Sequence, residues 1–523
     1  MKKMISTIFV GILLLCSFST IASSDVITKT NEGAEWTIMI LLDADNNLEE
    51  YALDDFLEMS SVGSDENVNI VVQLDRIEGY DTSYKNWNTT KRYLVEKDMR
   101  PNEANAIMDL GETNCGDPEV LIDFAQWSME NYPADKYSLI LWDHGGGFRA
   151  DDNSRTLPFK HVCWDDTDGD VLTLKEARYA LKTITDNGAS KIDLLGFDAC
   201  LMGMLEVGYQ FKEFADYMTA SEEVEPAFGW NFDEFLGKLV KNPTAGPKKL
   251  GEYIVTTYEG ETLSTTDLYI CAKIANEVSV LGQKLINPDY FGRIITVVIE
   301  AYYFWDWDFV DLYNFSELIL KYFEDDEDIS GVAQAIMNKI KDAVTSNKYD
   351  TPDTHGISIY IPWEYYDLEY DETLFAKITK WDEFAKWFIG EIYLEHPPTV
   401  PIINGPDETK VGKSCTYNVL SFDADDDDIE YFIAFGDGNN TEWDGPYWSG
   451  ETAYIEHTWE EPGDYKVQAM ARDSMMMFSD WSEALEVNVT KKKSRNVLTF
   501  LEQFQMFLER WNFPVLEKIL NLR

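Results

Sequence analysis

Between Trp36 and about Gly196, short and nearly continuous apolar runs alternate with stretches whose apolar residues recur at helical spacing. Trp36–Leu42, Asn69–Leu74, Tyr137–Trp142 and Ile192–Phe197 have the uninterrupted hydrophobicity of strands buried on both faces of a sheet. Leu48–Met59, Pro118–Asn131 and Leu174–Asp186 read as the intervening helices, with Asp117-Pro118 and Thr173 as helix starts. The alternation predicts an α/β fold, a mostly parallel sheet with helices on both faces. Ligands of such sheets sit beyond the carboxyl ends of the strands, so the strand ends are where chemistry is to be sought.

The pattern changes further along. Residues 230–390 are more helical and end in a strand-like Gly356–Ile361 and a helix near Trp381–Ile389. Pro397-Pro398 marks a linker. Beyond it, Thr416–Leu420, Ile429–Phe435, Ala453–His457, Tyr465–Ala471 and Ala484–Val489 are short runs between Gly, Asp and Asn turns, which predicts a small all-β sandwich over 396–490. Its acidic Asp423–Asp428 run reads as a solvated turn, compatible with calcium. The last segment, 491–523, opens with Lys491-Lys492-Lys493 and then sets Val497, Leu501, Phe504, Leu508 and Trp511 on one helical stripe. Two readings stand for it: a helix docked on the body, or a tail that contacts a membrane or cell surface.

Composition narrows the class. The 523 residues carry 95 Asp+Glu against 43 Lys+Arg, a formal charge of −52, with 45% hydrophobic residues. That supports a folded chain of two or more domains and argues against a nucleic-acid partner, because no broad basic surface exists to meet phosphates. Lys2-Lys3, the apolar run to Phe18 and Ala22-Ser23-Ser24 read as a signal peptide over 1–24, so the mature chain, with a main domain over 25–395, is expected to be exported and soluble. Removing Cys16 leaves Cys115, Cys163, Cys200, Cys271 and Cys415, an odd number without metal-type spacing. At least one thiol is therefore unpaired.

Two strand ends carry reactive side chains. One reads Leu139-Ile-Leu-Trp-Asp-His144-Gly-Gly-Gly147, the other Ile192-Asp-Leu-Leu-Gly-Phe-Asp198-Ala-Cys200. In a parallel sheet both emerge at one edge, where His144 serves as base and Cys200 as nucleophile. The thiol needs that help, since only the thiolate attacks well. Glycines beside the histidine let backbone N–H groups approach an oxyanion, and a helix directly after Cys200 would favour the thiolate.

These blocks, with Trp36–Glu49, Gly111–Asp117, Tyr132–Tyr137, Asp165–Leu172, Ala220-Ser-Glu222 and His355–Tyr360, resemble the clostripain-like cysteine peptidases over about 35–365. The resemblance implies a caspase-like fold and a cysteine endopeptidase acting on protein or peptide substrates. It implies His144 and Cys200 as the dyad and the N–H groups of Gly145 and Cys200 as the oxyanion hole. It further implies cleavage after Arg or Lys with Asp198 in the pocket, and a carboxylate does suit a guanidinium. Glu222, Glu223 and Glu225 are candidates for the far wall, with Glu222 taken as the first choice. The resemblance also implies self-cleavage in Phe148–His161, where Arg149, Arg155 and Lys160 stand; the alternative is an ordinary exposed loop. No cofactor is needed for the bond chemistry. Some relatives use calcium, and Asp166-Thr-Asp168-Gly-Asp170 imitates a calcium loop, although Val171 stands where glycine is wanted and Glu176 arrives one place early. Capping of the next helix explains that segment equally well.

Phe435-Gly-Asp-Gly438, His457-Thr-Trp459 and Pro462–Val467 resemble a PKD-type domain, which implies a binding or spacer role. The rival function is a surface adhesion or carbohydrate-binding protein in which this sandwich acts and the α/β domain is scaffold. A metallohydrolase is disfavoured: HExxH is absent and there are 5 histidines.

Overall fold

The computed structural model describes residues 33–149, 162–349, 354–392 and 396–491. The predicted signal segment, the tail beyond Lys491, and Arg155 and Lys160 lie outside the described residues. The strands of the larger domain are β1 (Ala34–Ala44), β2 (Val68–Arg76), β3 (Thr90–Leu94), β4 (Met108–Gly111), β5 (Ala134–Trp142), β6 (Val162–Asp165) and β7 (Asp170–Leu172). They continue with β8 (Ile192–Asp198), β9 (Ala215–Ala220), β10 (Leu263–Asp267), β11 (Phe309–Asp311), β12 (Val344–Lys348) and β13 (Ser358–Tyr360). Nine form one sheet in the order β12-β10-β9-β8-β5-β1-β2-β3-β4. Its centre, β9 through β2, is parallel, and both margins are antiparallel.

The continuous hydrophobicity has a direct cause. Side chains alternate across a strand, and Ile38 and Ile40 enter one core while Met39 and Leu41 enter the other. A strand covered on both faces has no side left for polar residues. The predicted helix starts are also present: the Asp117 side chain accepts from the Glu119 N–H, and Thr173 and Glu176 form a reciprocal capping box. Glu176 thus caps a helix. The helix after β8, in contrast, starts at Leu205, so its positive end does not lie at Cys200 as the sequence suggested.

Beyond residue 396, eight short strands form a three-stranded and a five-stranded sheet around Tyr417, Tyr431 and Trp459. His457 bonds Asp437 (2.8 Å) and stacks on Phe435, a structural role. Among the described residues no helix is long and apolar enough to cross a membrane.

Candidate active site

β5 and β8 are adjacent and parallel, with Trp142 opposite Asp198. His144 and Cys200 each follow that pair by two residues, so the register alone sets them side by side at the carboxyl edge. The Asp143 N–H donates to the Asp198 carbonyl and carries the ladder one step further (3.2 Å). Gly145 then runs against Cys200 itself: a Cβ there would fall 2.3 Å from the Cys200 carbonyl oxygen and 2.8 Å from its nitrogen. No side chain fits that contact, which is why the residue after His144 is glycine. Leu201 turns with φ +63°, a conformation uncommon for a branched residue, and leaves Cys200 at the lip of the turn.

Both side chains line a cleft of about 270 Å³ together with Asp198, Glu225, Gly229 and Trp305. His144 Nε2 lies 2.9 Å from Asn47 Oδ1. An amide oxygen accepts, so Nε2 holds the proton and Nδ1 is the basic nitrogen. Asn47 extends from the end of β1, where Asn46 bonds Asp143 (2.7 Å). Asp143 also accepts from the Trp164 N–H, so the histidine segment is tied to two neighbouring elements. Burial lowers the His144 pKa, and burial drives the Cys200 thiol up to about 12, with Glu225, Glu223 and Asp143 adding to the rise. The resting pair is therefore a neutral imidazole and a thiol whose sulfur accepts from the Glu225 N–H (3.2 Å).

The floor of the cleft is acidic. Asp198 is 4% exposed and accepts from the Trp230 N–H (3.2 Å). Glu225 accepts from the Trp230 indole (3.1 Å), and its Oε1 is buried without a hydrogen-bond donor. The two carboxyls are in contact. Burial raises Asp198 to about 7 and, with Asp198 beside it, holds Glu225 well above the usual carboxylate range. Gly229, at φ +56°, passes within 2.8 Å of Asp198 Oδ1, measured from where a Cβ would sit, so glycine is required there on both counts.

Other predicted residues lie elsewhere. Glu222 is buried away from the cleft, accepting from the Gly356 N–H (2.9 Å) beside Asp311; Glu225, three residues on, occupies the wall in its place. Arg149 is not an exposed loop residue, because its guanidinium pairs with Asp306, Asp308 and Asp367. Asp166, Asp168 and Asp170 do not converge: Tyr80 donates to Asp166, Asn114 donates to Asp170, and only Asp168 joins an acidic cluster. That cluster combines Asp45, Asp75 and Glu112 with Glu112, Asp165 and Asp168, each triad offering oxygens within 4.8 Å of one another. Asp43, fully buried beside Asp75 and Asp165, has Oδ2 without a donor. All five cysteines among the described residues are unpaired.

The Clostripain family model matches residues 40–388 and a PKD domain model matches 395–488. Clostripain of Hathewaya histolytica is 36% identical over 231 residues, 40% of this chain. The chain spans 43% of the length of that curated relative. Among solved structures, a secreted C11 cysteine protease from Bacteroides thetaiotaomicron, in complex with an irreversible peptide inhibitor, is 19% identical with a TM-score of 0.49. It covers 68% of this chain and 99% of its own. The PKD domain of an M14-like peptidase from a Thermoplasmatales archaeon is 39% identical over 19% of this chain and 100% of its own, with a TM-score of 0.18.

Proposed function

The chain belongs to the clostripain family, and on that premise we propose that it is an exported cysteine endopeptidase that cleaves after arginine or lysine, with Cys200 as nucleophile and His144 as base. One observation carries the reading: an imidazole and a thiol open onto a cleft whose floor is a buried pair of carboxyls, Asp198 and Glu225, without a cationic partner among the described residues. A buried carboxylate pair left unpaired is costly, and a guanidinium or ammonium relieves it.

The chemistry follows from the resting state. His144 Nδ1 takes the proton from Sγ as the thiolate attacks the scissile carbonyl carbon. The oxyanion is held by the N–H groups of Gly145 and Cys200. Nδ1–H then passes its proton to the leaving amine, leaving a thioester, and water deprotonated by His144 hydrolyses it. Because carboxylates around Cys200 help keep the thiol protonated, a cation bound between them and Sγ favours ionisation. Substrate binding therefore assists its own attack. Self-cleavage between the two active-site segments belongs to the same reading, with Arg149 removed from the candidate sites by its ion pairs.

Calcium is proposed as a structural ligand. Hard oxygen donors in number suit it, and two triads that share Glu112 each set their carboxylate oxygens within 4.8 Å of one another. Asp45, Asp75, Glu112, Asp165 and Asp168 would hold it, bracing the turn that carries Asn46 and Asn47. Calcium at about a hundredfold above its Kd is expected to add about 2.7 kcal/mol of stability. Thermal unfolding in chelator and in calcium reads this directly; an unchanged Tm, with no terbium luminescence from the protein, would remove the site.

The function is tested with fluorogenic peptides ending in Arg, Lys, Asp or Leu, in reductant, with and without calcium. Turnover after Arg and Lys is expected. Turnover only after Asp or Leu keeps the peptidase and discards the pocket assignment. No thiol-dependent turnover of any of the four returns the chain to the binding-protein class.

A further inference from the structure

Segment 302–309 reads Tyr-Tyr-Phe-Trp-Asp-Trp-Asp-Phe and has a period of two. Tyr303, Trp305 and Trp307 are 49%, 54% and 61% exposed, whereas Phe304 and Asp308 are buried and Asp306 is largely so. The backbone accounts for the alternation. Phe304 N–H donates to the Phe309 carbonyl, Asp311 N–H donates to the Tyr302 carbonyl, and the chain folds as a hairpin whose successive side chains point to opposite sides. Three large aromatic rings on one outward face, with Tyr303 and Trp307 in ring contact at 5.9 Å, are unusual on a chain this acidic.

Two ties fix that face to the cleft. From the inward side, Arg149 binds Asp306 and Asp308 at once, so the residue that ends the His144 glycine segment holds both aspartates in and turns both tryptophans out. From the other side, the Trp305 N–H donates to the Glu223 carboxylate (3.0 Å), two residues before Glu225. Trp305 itself lines the cavity with Cys200 and Asp198. Exposed aromatic surface continuous with a ligand cleft is surface held ready for a ligand.

We propose that this hairpin is an acyl-side subsite that takes a large apolar or aromatic substrate side chain next to the basic residue held by Asp198 and Glu225, with Arg149 as its positioning residue. The side follows from the neighbours. His144, which gives its proton to the leaving amine, is flanked by Asn47 and Trp164, whereas the hairpin hangs on the Glu223–Glu225 segment beside Cys200. The substrate is thus a stretch of chain carrying a basic residue just after a bulky apolar one.

The proposal rests on the peptidase reading, and the test separates the two. Full-length protein is assayed on peptides ending in Arg whose preceding residue is Trp, Leu, Gly or Asp. The Trp and Leu peptides are expected to exceed Gly by about tenfold or more in kcat/KM, the scale of a filled apolar subsite. Trp305→Ala and Trp307→Ala should bring the ratio towards one and Trp305→Phe should largely restore it, while Trp448→Ala, 77% exposed on the small domain, keeps it. Trp307 is the safer variant for folding because most of its surface is already in water. A flat ratio in the wild type, or one that survives both alanine variants, overturns the subsite while cleavage after Arg stands. Absence of all cleavage after Arg overturns the basic-pocket assignment on which the subsite rests, and the subsite with it.

Discussion

Cys200→Ala is expected to lower turnover of arginine and lysine peptides to a small residual rate, and His144→Ala to lower it by about 10²–10⁴-fold, the scale of a positioned acid–base. The two losses should not add, since base and nucleophile act as one unit. The unit is visible in the register: Trp142 faces Asp198, and both reactive residues follow by two. A double variant scarcely worse than Cys200→Ala supports the dyad, whereas multiplicative losses would mean that the residues act separately. Labelling supplies a readout independent of turnover. Cys200 is 9% exposed and opens to the cleft, while Cys115, Cys163, Cys271 and Cys415 are buried at 0–4%. Iodoacetamide should therefore modify Cys200 first. Because the thiol sits near 12, labelling should be slow in the free protein and respond to His144→Ala. The Cys200→Ala chain should also run as a single band where the wild type is cut. Equal labelling of several cysteines would remove the special status of this one.

What could be read from the sequence follows from where residues meet water. The central strands were legible because each is covered on both faces and left no polar position to confuse the period. β3 was not, because beside Tyr93 it buries two charged residues: Lys91 and Arg92 are satisfied by Asp109, Gln73 and Asp123, contacts that only the folded chain supplies. The two reactive strand ends were legible as Asp-His-Gly-Gly-Gly and Asp-Ala-Cys. Their supports were not. Asn47 reaches His144 from 97 residues away, and Glu225 rather than Glu222 enters the cleft because the turn after β9 sends Glu222 inward to Gly356. The calcium-like run failed as a unit for a similar reason: its alternate aspartates face different neighbours, and the cluster that does form draws on four separate segments through Asp45, Asp75, Glu112 and the Asp165–Asp168 turn. Trp305-Asp-Trp-Asp308 did carry a signal, an aromatic–acid alternation within a helical region, which marks a strand-like segment with one wet face.

Asp198→Asn and Glu225→Gln are expected to cost about 2–5 kcal/mol each in kcat/KM for basic substrates, as when one partner of a desolvated charge pair is removed, and much less for a glutamine-ending peptide. The pH dependence has a defined sign. Below the raised value of about 7, Asp198 is protonated and neutral and cannot pair with a guanidinium; above it, the carboxylate is available. For arginine peptides KM should therefore fall as pH rises through about 7, and that limb should be missing from Asp198→Asn. The loss should also extend beyond KM. Burial keeps the Cys200 thiol protonated and the Glu225 carboxylate adds to it, and Glu225 lies in contact with Asp198, so a bound cation shared by the two carboxylates removes that added part of the barrier to forming the thiolate. An uncharged substrate forfeits that assistance and loses kcat as well as affinity. If the pocket only bound substrate, the variants would raise KM and leave kcat alone. A pure KM effect would keep Asp198 and Glu225 as specificity residues and refute their part in activating the nucleophile.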